Sequence, residues 1–127
     1  LLERVFSILL DNSLAALPHG GRVLVEGEAD GTIFTVRFTD NGTGISPEHL
    51  PYIFNPFFST KADGVGIDLA LVKRIIEIHN GSVGVKSKVG DGTTFFLQLP
   101  LERRRPIRTR LLVETVGTGG DTRDLFN

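Results

Sequence analysis

Three short strings in this 127-residue chain combine residue types suited to holding a charged ligand. In Leu9-Leu10-Asp11-Asn12-Ser13-Leu14, apolar residues before and after Asn12 would bury most of this turn. An uncharged amide beside a buried face can hold Mg²⁺ or a water next to phosphate oxygens, since Mg²⁺ takes oxygen ligands and keeps several waters. The plainer alternative is a helix asparagine that caps or faces solvent. In Asp40-Asn41-Gly42-Thr43-Gly44-Ile45, an aspartate at a strand end can accept a hydrogen bond from an exocyclic amine, and the glycines let backbone approach a flat ring. The same letters also spell an ordinary tight turn. In Gly64-Val65-Gly66-Ile67, glycines ahead of a helix would turn backbone N–H groups toward a phosphate, with the helix dipole adding attraction. No βαβ unit surrounds this last string and no Gly-Lys-Ser/Thr ending follows it, so neither dinucleotide fingerprint nor P-loop is indicated.

The elements that must position these residues follow from periodicity. Apolar residues at 2, 5, 6, 9, 10, 14 and 17 predict a helix over Leu1–Leu17, ended by Pro18-His19-Gly20-Gly21. Arg22–Glu28 and Thr32–Thr39 read as strands joined at Asp30-Gly31. Ser46-Pro47-Glu48 could open a short helix. Phe54–Gly66 has no period and reads as a long loop of the functional kind. Ile67–His79 predicts a second helix, stopped by Asn80-Gly81. Ser82–Ser87 and Thr93–Leu99 form another strand pair around Gly90-Asp91-Gly92. Hairpin-linked strands with two long helices indicate an antiparallel or mixed sheet covered by helices on one face.

Taken in order and at this spacing, the three strings resemble the nucleotide-binding boxes of the ATPase superfamily shared by histidine kinases, type II topoisomerases, a family of heat-shock chaperones and mismatch-repair ATPases. Ile53-Phe54-Asn55-Pro56-Phe57-Phe58-Ser59-Thr60-Lys61 resembles the phenylalanine box of histidine kinases, closest to the soluble nitrogen-regulator type. Leu69–Gly81 is similar to the helix after the last glycine box, and Gly90-Asp91-Gly92-Thr93-Thr94-Phe95 to the closing strand. The resemblance covers Leu2–Pro100.

It implies an α/β fold of the Bergerat type: a two-layer sandwich, a mixed and mostly antiparallel sheet covered by helices, and a mobile ATP lid. It also implies ATP and Mg²⁺ as ligands. Asn12 would hold Mg²⁺ and Asp40 the adenine amine. Gly42, Gly44 and Ile45 would shape the adenine pocket, and Thr93 would support adenine through water. Gly64 and Gly66 would lie against the phosphates, Lys61 would contact phosphate from the lid, and Phe57 and Phe58 would anchor the lid or pack the core. The implied activity is transfer of the γ-phosphoryl group to a histidine on a separate dimerisation domain, with a response regulator as further partner. No histidine of this chain fits the acceptor role: His19 lies in a Pro-Gly turn, His49 before the lid and His79 at a helix end.

Two positions depart from the family pattern. Asp68 replaces a glycine, and at about 5 Å and an effective dielectric near 20 it would repel each phosphate charge by roughly 3 kcal/mol before screening. Ile8 stands where histidine kinases have asparagine and related ATPases a water-activating glutamate, so hydrolysis by this chain alone is not expected. These changes keep a second reading open, a degenerate or engineered module of the same fold used for nucleotide binding or protein contact without catalysis.

Composition adds bounds. A net charge of −1 gives no global attraction to nucleic acid, and no partner of that class is expected. No cysteine is present, which excludes disulfides and thiolate metal sites. No apolar run is long enough to span a membrane, so no membrane contact by this piece and a cytoplasmic location are expected. The absence of methionine suggests a fragment, whose intact protein could be membrane-anchored. Residues 1–101 are read as one domain and 102–127 as a basic linker or tail, with Leu111–Val116 as an optional strand and Gly117–Asn127 loose. Arg110–Val116 with Gly119-Gly120-Asp121 also resembles the strand that precedes the first helix in the family, as if the chain were permuted.

Overall fold

The computed structural model describes residues 1–56, 58, 68–101, 107–116 and 121–125. Two helices cover one six-stranded sheet. Helix α1 spans Leu2–Ala15 and buries Val5, Leu9 and Ser13, which recur every four residues and so share one face. Helix α2 spans Asp68–Ile78 and buries Val72, Ile75 and Ile76. It is stopped at Asn80, whose φ of 62° only a few residue types adopt readily. The predicted helices hold to within one or two residues at each end.

The strands are β1 (Gly21–Asp30), β2 (Ile33–Asp40), β3 (Ser82–Lys88), β4 (Gly92–Pro100), β5 (Ile107–Val116) and β6 (Asp121–Leu125), in the spatial order β3-β4-β2-β1-β5-β6. In place of a mixed, mostly antiparallel sheet, all five pairings among the described residues are antiparallel. The reason is register: β1–β2 and β3–β4 are hairpins, and β2 meets β4, as β1 meets β5, head to tail. Ser46–Glu48 does not open an α-helix; a single 3-10 turn follows at Leu50–Tyr52.

Alternation along β1 sends Val23, Val25 and Ala29 inward while its even-numbered residues face out. Phe38 and Phe95, directly opposite on β2 and β4, fill the centre under α1. Burial of this shared face against two amphipathic helices is the main force holding the two layers together.

The residues read as a tail do more than add one strand. Strand β5 starts at Ile107, four residues earlier than expected, and pairs with β1 over nine positions from Gly21↔Thr115 to Ala29↔Ile107. Val113 is fully buried opposite Val23, and Leu111 packs against the same core. In place of a loose terminus, β6 pairs with β5. The basic stretch is legible only with its partner: Arg110 meets Glu26 at 3.0 Å, and Glu114 meets Arg22 at 3.5 Å.

Val113→Ala should therefore lower unfolding free energy by about 2 kcal/mol, the loss of two buried methyl groups plus a small cavity. Val89→Ala, at an exposed turn, should change it by less than about 0.5 kcal/mol. Urea denaturation compares the two; equal effects would show that β5 contributes nothing to the core.

Candidate functional site

One end of the sheet gathers most of the described candidate residues. The corner 40–45 leaves the end of β2 and is bonded to every element around it. Asn41 N–H donates to the Arg22 carbonyl at 3.3 Å, and Arg22 N–H returns a bond of 2.7 Å to Asn41 Oδ1. Thr43 N–H donates to the Ala16 carbonyl at the end of α1 (3.1 Å), and Gly90 N–H donates to the Thr43 carbonyl (3.0 Å). Ile45 N–H donates to Ser87 Oγ at 2.7 Å.

The glycines make this closeness possible. A Cβ on Gly42 would collide with the Ala16 carbonyl oxygen, and one on Gly44 with the Lys88 carbonyl. Gly44 also has φ of 76°, a conformation costly for other residues. Among the described residues, what these glycines admit is neighbouring backbone, from α1 on one side and from the β3–β4 turn on the other.

Asp40 ends β2 and is 3% exposed. Its Oδ1 accepts Gly42 N–H at 2.9 Å, the i→i+2 bond by which aspartate organises a turn. Its Oδ2 is buried and has no partner among the described residues. Burial raises the carboxyl's pKa above the ordinary value of 3.8; the Gly42 N–H bond and the nearby Thr93 backbone pull the other way without offsetting it. Among the described residues, the other buried side-chain atom without a partner is Ser13 Oγ, in the last turn of α1. The two atoms do not bond each other.

Thr93, 4% exposed, pairs with Asp40 in the β2–β4 register. Its Oγ1 lies 2.7 Å from Ser87 Oγ. Ser87 spends its one proton on the Gly92 carbonyl at 3.0 Å and already accepts Ile45 N–H, so Thr93 donates to Ser87 and keeps its lone pairs free. Sequence reasoning missed Ser87 and Ser13. Counting the β3–β4 hairpin outward from Gly90-Asp91-Gly92 puts Ser87 opposite Thr93, the register observed. Ser13 could have been found as a polar residue on the buried 5-9-13 face of α1.

Asn12 is half-buried on α1, next to Ser13. Lys61, Gly64, Gly66 and Phe57 lie outside the described residues. Phe58 packs against the core and within 6.2 Å of Tyr52 and 5.6 Å of His49, ring centre to ring centre. Asp68 is exposed in the first turn of α2. His49 shares a bond of 3.1 Å with Ser46, and His79 Nδ1 donates to the Ile75 carbonyl at 2.8 Å, as structural histidines do. A cleft of about 520 Å³ opens at the opposite end of the strands, lined by residues such as Ile33, Asn80 and Leu99, and includes none of the candidate residues. No described helix is long and apolar enough to cross a membrane.

Comparison with known proteins gives the family of this fold. The profile of the family described as "Histidine kinase-, DNA gyrase B-, and HSP90-like ATPase" matches residues 1–103. Sensor histidine kinase ZraS of Salmonella typhi is 43% identical over 109 residues, covering 81% of this chain and 23% of that protein. Sensor protein SrrB of Staphylococcus aureus is 35% identical over 105 residues, covering 78% of this chain and 18% of that protein. The chain thus spans less than a quarter of the length of these relatives. Among solved structures, the mycobacterial sensor histidine kinase MprB superposes with a TM-score of 0.69 at 32% identity, over 82% of this chain and 70% of that one. The catalytic domain of histidine kinase ThkA gives 0.68 at 29% identity, over 78% and 65%. The chain belongs to the histidine kinase-, DNA gyrase B- and HSP90-like ATPase family, as an ATP-binding catalytic domain of the sensor histidine kinase type.

Proposed function

We propose that this domain holds Mg·ATP with the adenine amine on Asp40. In the intact protein it would present the γ-phosphoryl group to a histidine on a separate dimerisation domain, and a response regulator would receive the group from there. The observation that carries the reading is Asp40 Oδ2, a buried acceptor with no partner among the described residues. Gly42 N–H fixes the other oxygen, so Oδ2 is held in one direction. An acceptor-only atom in a buried site selects a donor, such as the amine of adenine, and rejects a ring that offers a carbonyl there.

The other residues follow from that placement. Ser13 Oγ and the free lone pairs of Thr93 Oγ1 supply further polar atoms for the ring edge or an intervening water. Gly42, Gly44 and Ile45 form the backbone wall. Among the described residues no three His, Asp or Glu side chains cluster as metal ligands. By the family pattern Mg²⁺ would rest on Asn12, phosphate oxygens and water, where it would neutralise phosphate charge. Lys61, Gly64 and Gly66 are proposed phosphate contacts from the family pattern alone. What the chain supplies to phosphoryl transfer is positioning.

One specific observation favours the second reading of a module with weakened nucleotide binding: Asp68 stands in the first turn of α2, where the family has glycine. Its exposure lets solvent screen the repulsion. Asp68→Gly should tighten ADP binding by about tenfold, measured by calorimetry. An unchanged affinity would remove Asp68 from the account. Binding only after the change would establish the second reading.

Asp40→Asn should separate binding from stability. Its Oδ1 would keep Gly42 N–H, leaving an NH₂ group aimed at the amine, so ADP affinity should fall about a hundredfold or more. The native state holds the Asp40 proton more tightly than the unfolded chain. Stability is then lost as pH rises from near 3.8 through the raised folded value, and the ionised carboxylate destabilises the empty protein above it. Thermal melts at pH 7 should show the Asn variant melting higher than the parent, the gap closing toward pH 4. Equal ADP affinity in the two proteins would refute the role given to Asp40.

A further inference from the structure

The hydroxyl of Ser87, on β3, makes three short contacts at the edge of the site. Its oxygen accepts Ile45 N–H at 2.7 Å, its proton goes to the Gly92 carbonyl at 3.0 Å, and Thr93 Oγ1 lies 2.7 Å away. A serine hydroxyl has one proton and two lone pairs, so these contacts use it completely. The direction of each bond follows. A backbone N–H can only donate and a carbonyl can only accept. Were Ser87 to give its proton to Thr93, its oxygen would face the Gly92 carbonyl at 3.0 Å with no proton between them. Thr93 must therefore donate to Ser87.

That proton bears on the site because of where Thr93 stands. It is the register partner of Asp40 on the neighbouring strand, and both are almost fully buried. Directly paired residues project on the same face, with Cβ atoms about 4.5–5.5 Å apart. A threonine with a free proton could turn it to a carboxylate or to a carbonyl on a ligand. Here Asp40 Oδ2 has no partner among the described residues, and the Thr93 proton points to Ser87. Two neighbouring oxygens, one on β2 and one on β4, thus present lone pairs alone. The bond from Ile45 N–H ties the end of the corner 40–45 to the same hydroxyl.

We propose that Ser87 is a positioning residue for recognition of the base. By taking the Thr93 proton it keeps Thr93 Oγ1 an acceptor, so that the space beside Asp40 receives donors and turns away a base edge that offers a carbonyl. Ser87 acts through Thr93 and does not touch the nucleotide. Its role in recognition rests on the reading of Asp40 as the adenine acceptor; the proton arrangement between Ser87 and Thr93 does not.

NMR of the parent chain reads that arrangement directly. The buried Thr93 hydroxyl proton should be visible, with couplings across the Cβ–Oγ1 bond that place it toward Ser87. A proton averaged over rotamers, or turned away from Ser87, overturns the proposal without any variant having to fold.

The effect on recognition is read by calorimetry with ADP and with inosine diphosphate, whose base has a carbonyl in place of the amine. In Ser87→Ala the Thr93 hydroxyl is free to donate to that carbonyl. The preference for ADP, about a hundredfold in the parent, should then fall to about tenfold or less. Ser87→Thr keeps a hydroxyl and should keep the parent's preference. In a Thr93→Val background, adding Ser87→Ala should leave the preference unchanged, because the atom through which Ser87 acts is gone. A serine that served only the fold would weaken both nucleotides alike. An unchanged preference in Ser87→Ala, or the same fall in the Thr93→Val background, overturns the proposal. If the parent binds both nucleotides equally while the Thr93 proton points to Ser87, the adenine reading has failed and the recognition role with it, and the proton arrangement stands.

Discussion

A carboxylate oxygen held inside a protein without a partner costs free energy that folding alone has no reason to spend. Among the described residues Asp40 Oδ2 is such an atom, and the surrounding structure is arranged to keep it there. The N–H of Gly42 locks the other oxygen. Strand β4 lies alongside through Thr93, and the end of α1 bonds the same corner through the Ala16 carbonyl, which accepts Thr43 N–H. Local strain and unpaired polar groups of this kind gather at binding sites because the ligand supplies what the protein withholds. The raised pKa of Asp40 follows from the same burial that makes Oδ2 selective.

Much of this was readable from the sequence. The 3.6-residue spacing of apolar residues located both helices, and alternation located β1 to β4, because each signal depends on neighbours along the chain. The three glycine- and asparagine-bearing strings gave Asn12, Asp40 and the corner glycines. What escaped depends on pairing between distant residues. Arg108, Thr109 and Arg110 read as a solvated linker until Glu26 is known to stand opposite Arg110. Ser87 looks like one more polar residue in Lys86-Ser87-Lys88 until the hairpin register brings it to Thr93 and Ile45. Ser13 sits beside the more conspicuous Asn12, and only the burial of the 5-9-13 face separates their surroundings.

The glycines teach a related point. Their letters suggested room for a flat ring, and the structure fills that room with the carbonyls of Ala16 and Lys88. The two uses are compatible in physical terms. Backbone packed this closely fixes the corner, and a fixed corner is what lets one carboxylate oxygen discriminate between a donor and an acceptor on a ligand ring. The tight bonding of the corner to β1, α1 and the β3–β4 turn makes the site a product of the whole sheet rather than of one loop.

The measurement that bears most directly on this account is calorimetry of the chain with ADP and with inosine diphosphate, in which a carbonyl oxygen replaces the 6-amine of adenine and N1 gains a proton. If Asp40 Oδ2 receives the amine, ADP should bind and inosine diphosphate should bind about a hundredfold more weakly or not at all. Equal affinities for the two nucleotides would contradict the account, since the buried acceptor would then take no part in choosing the base.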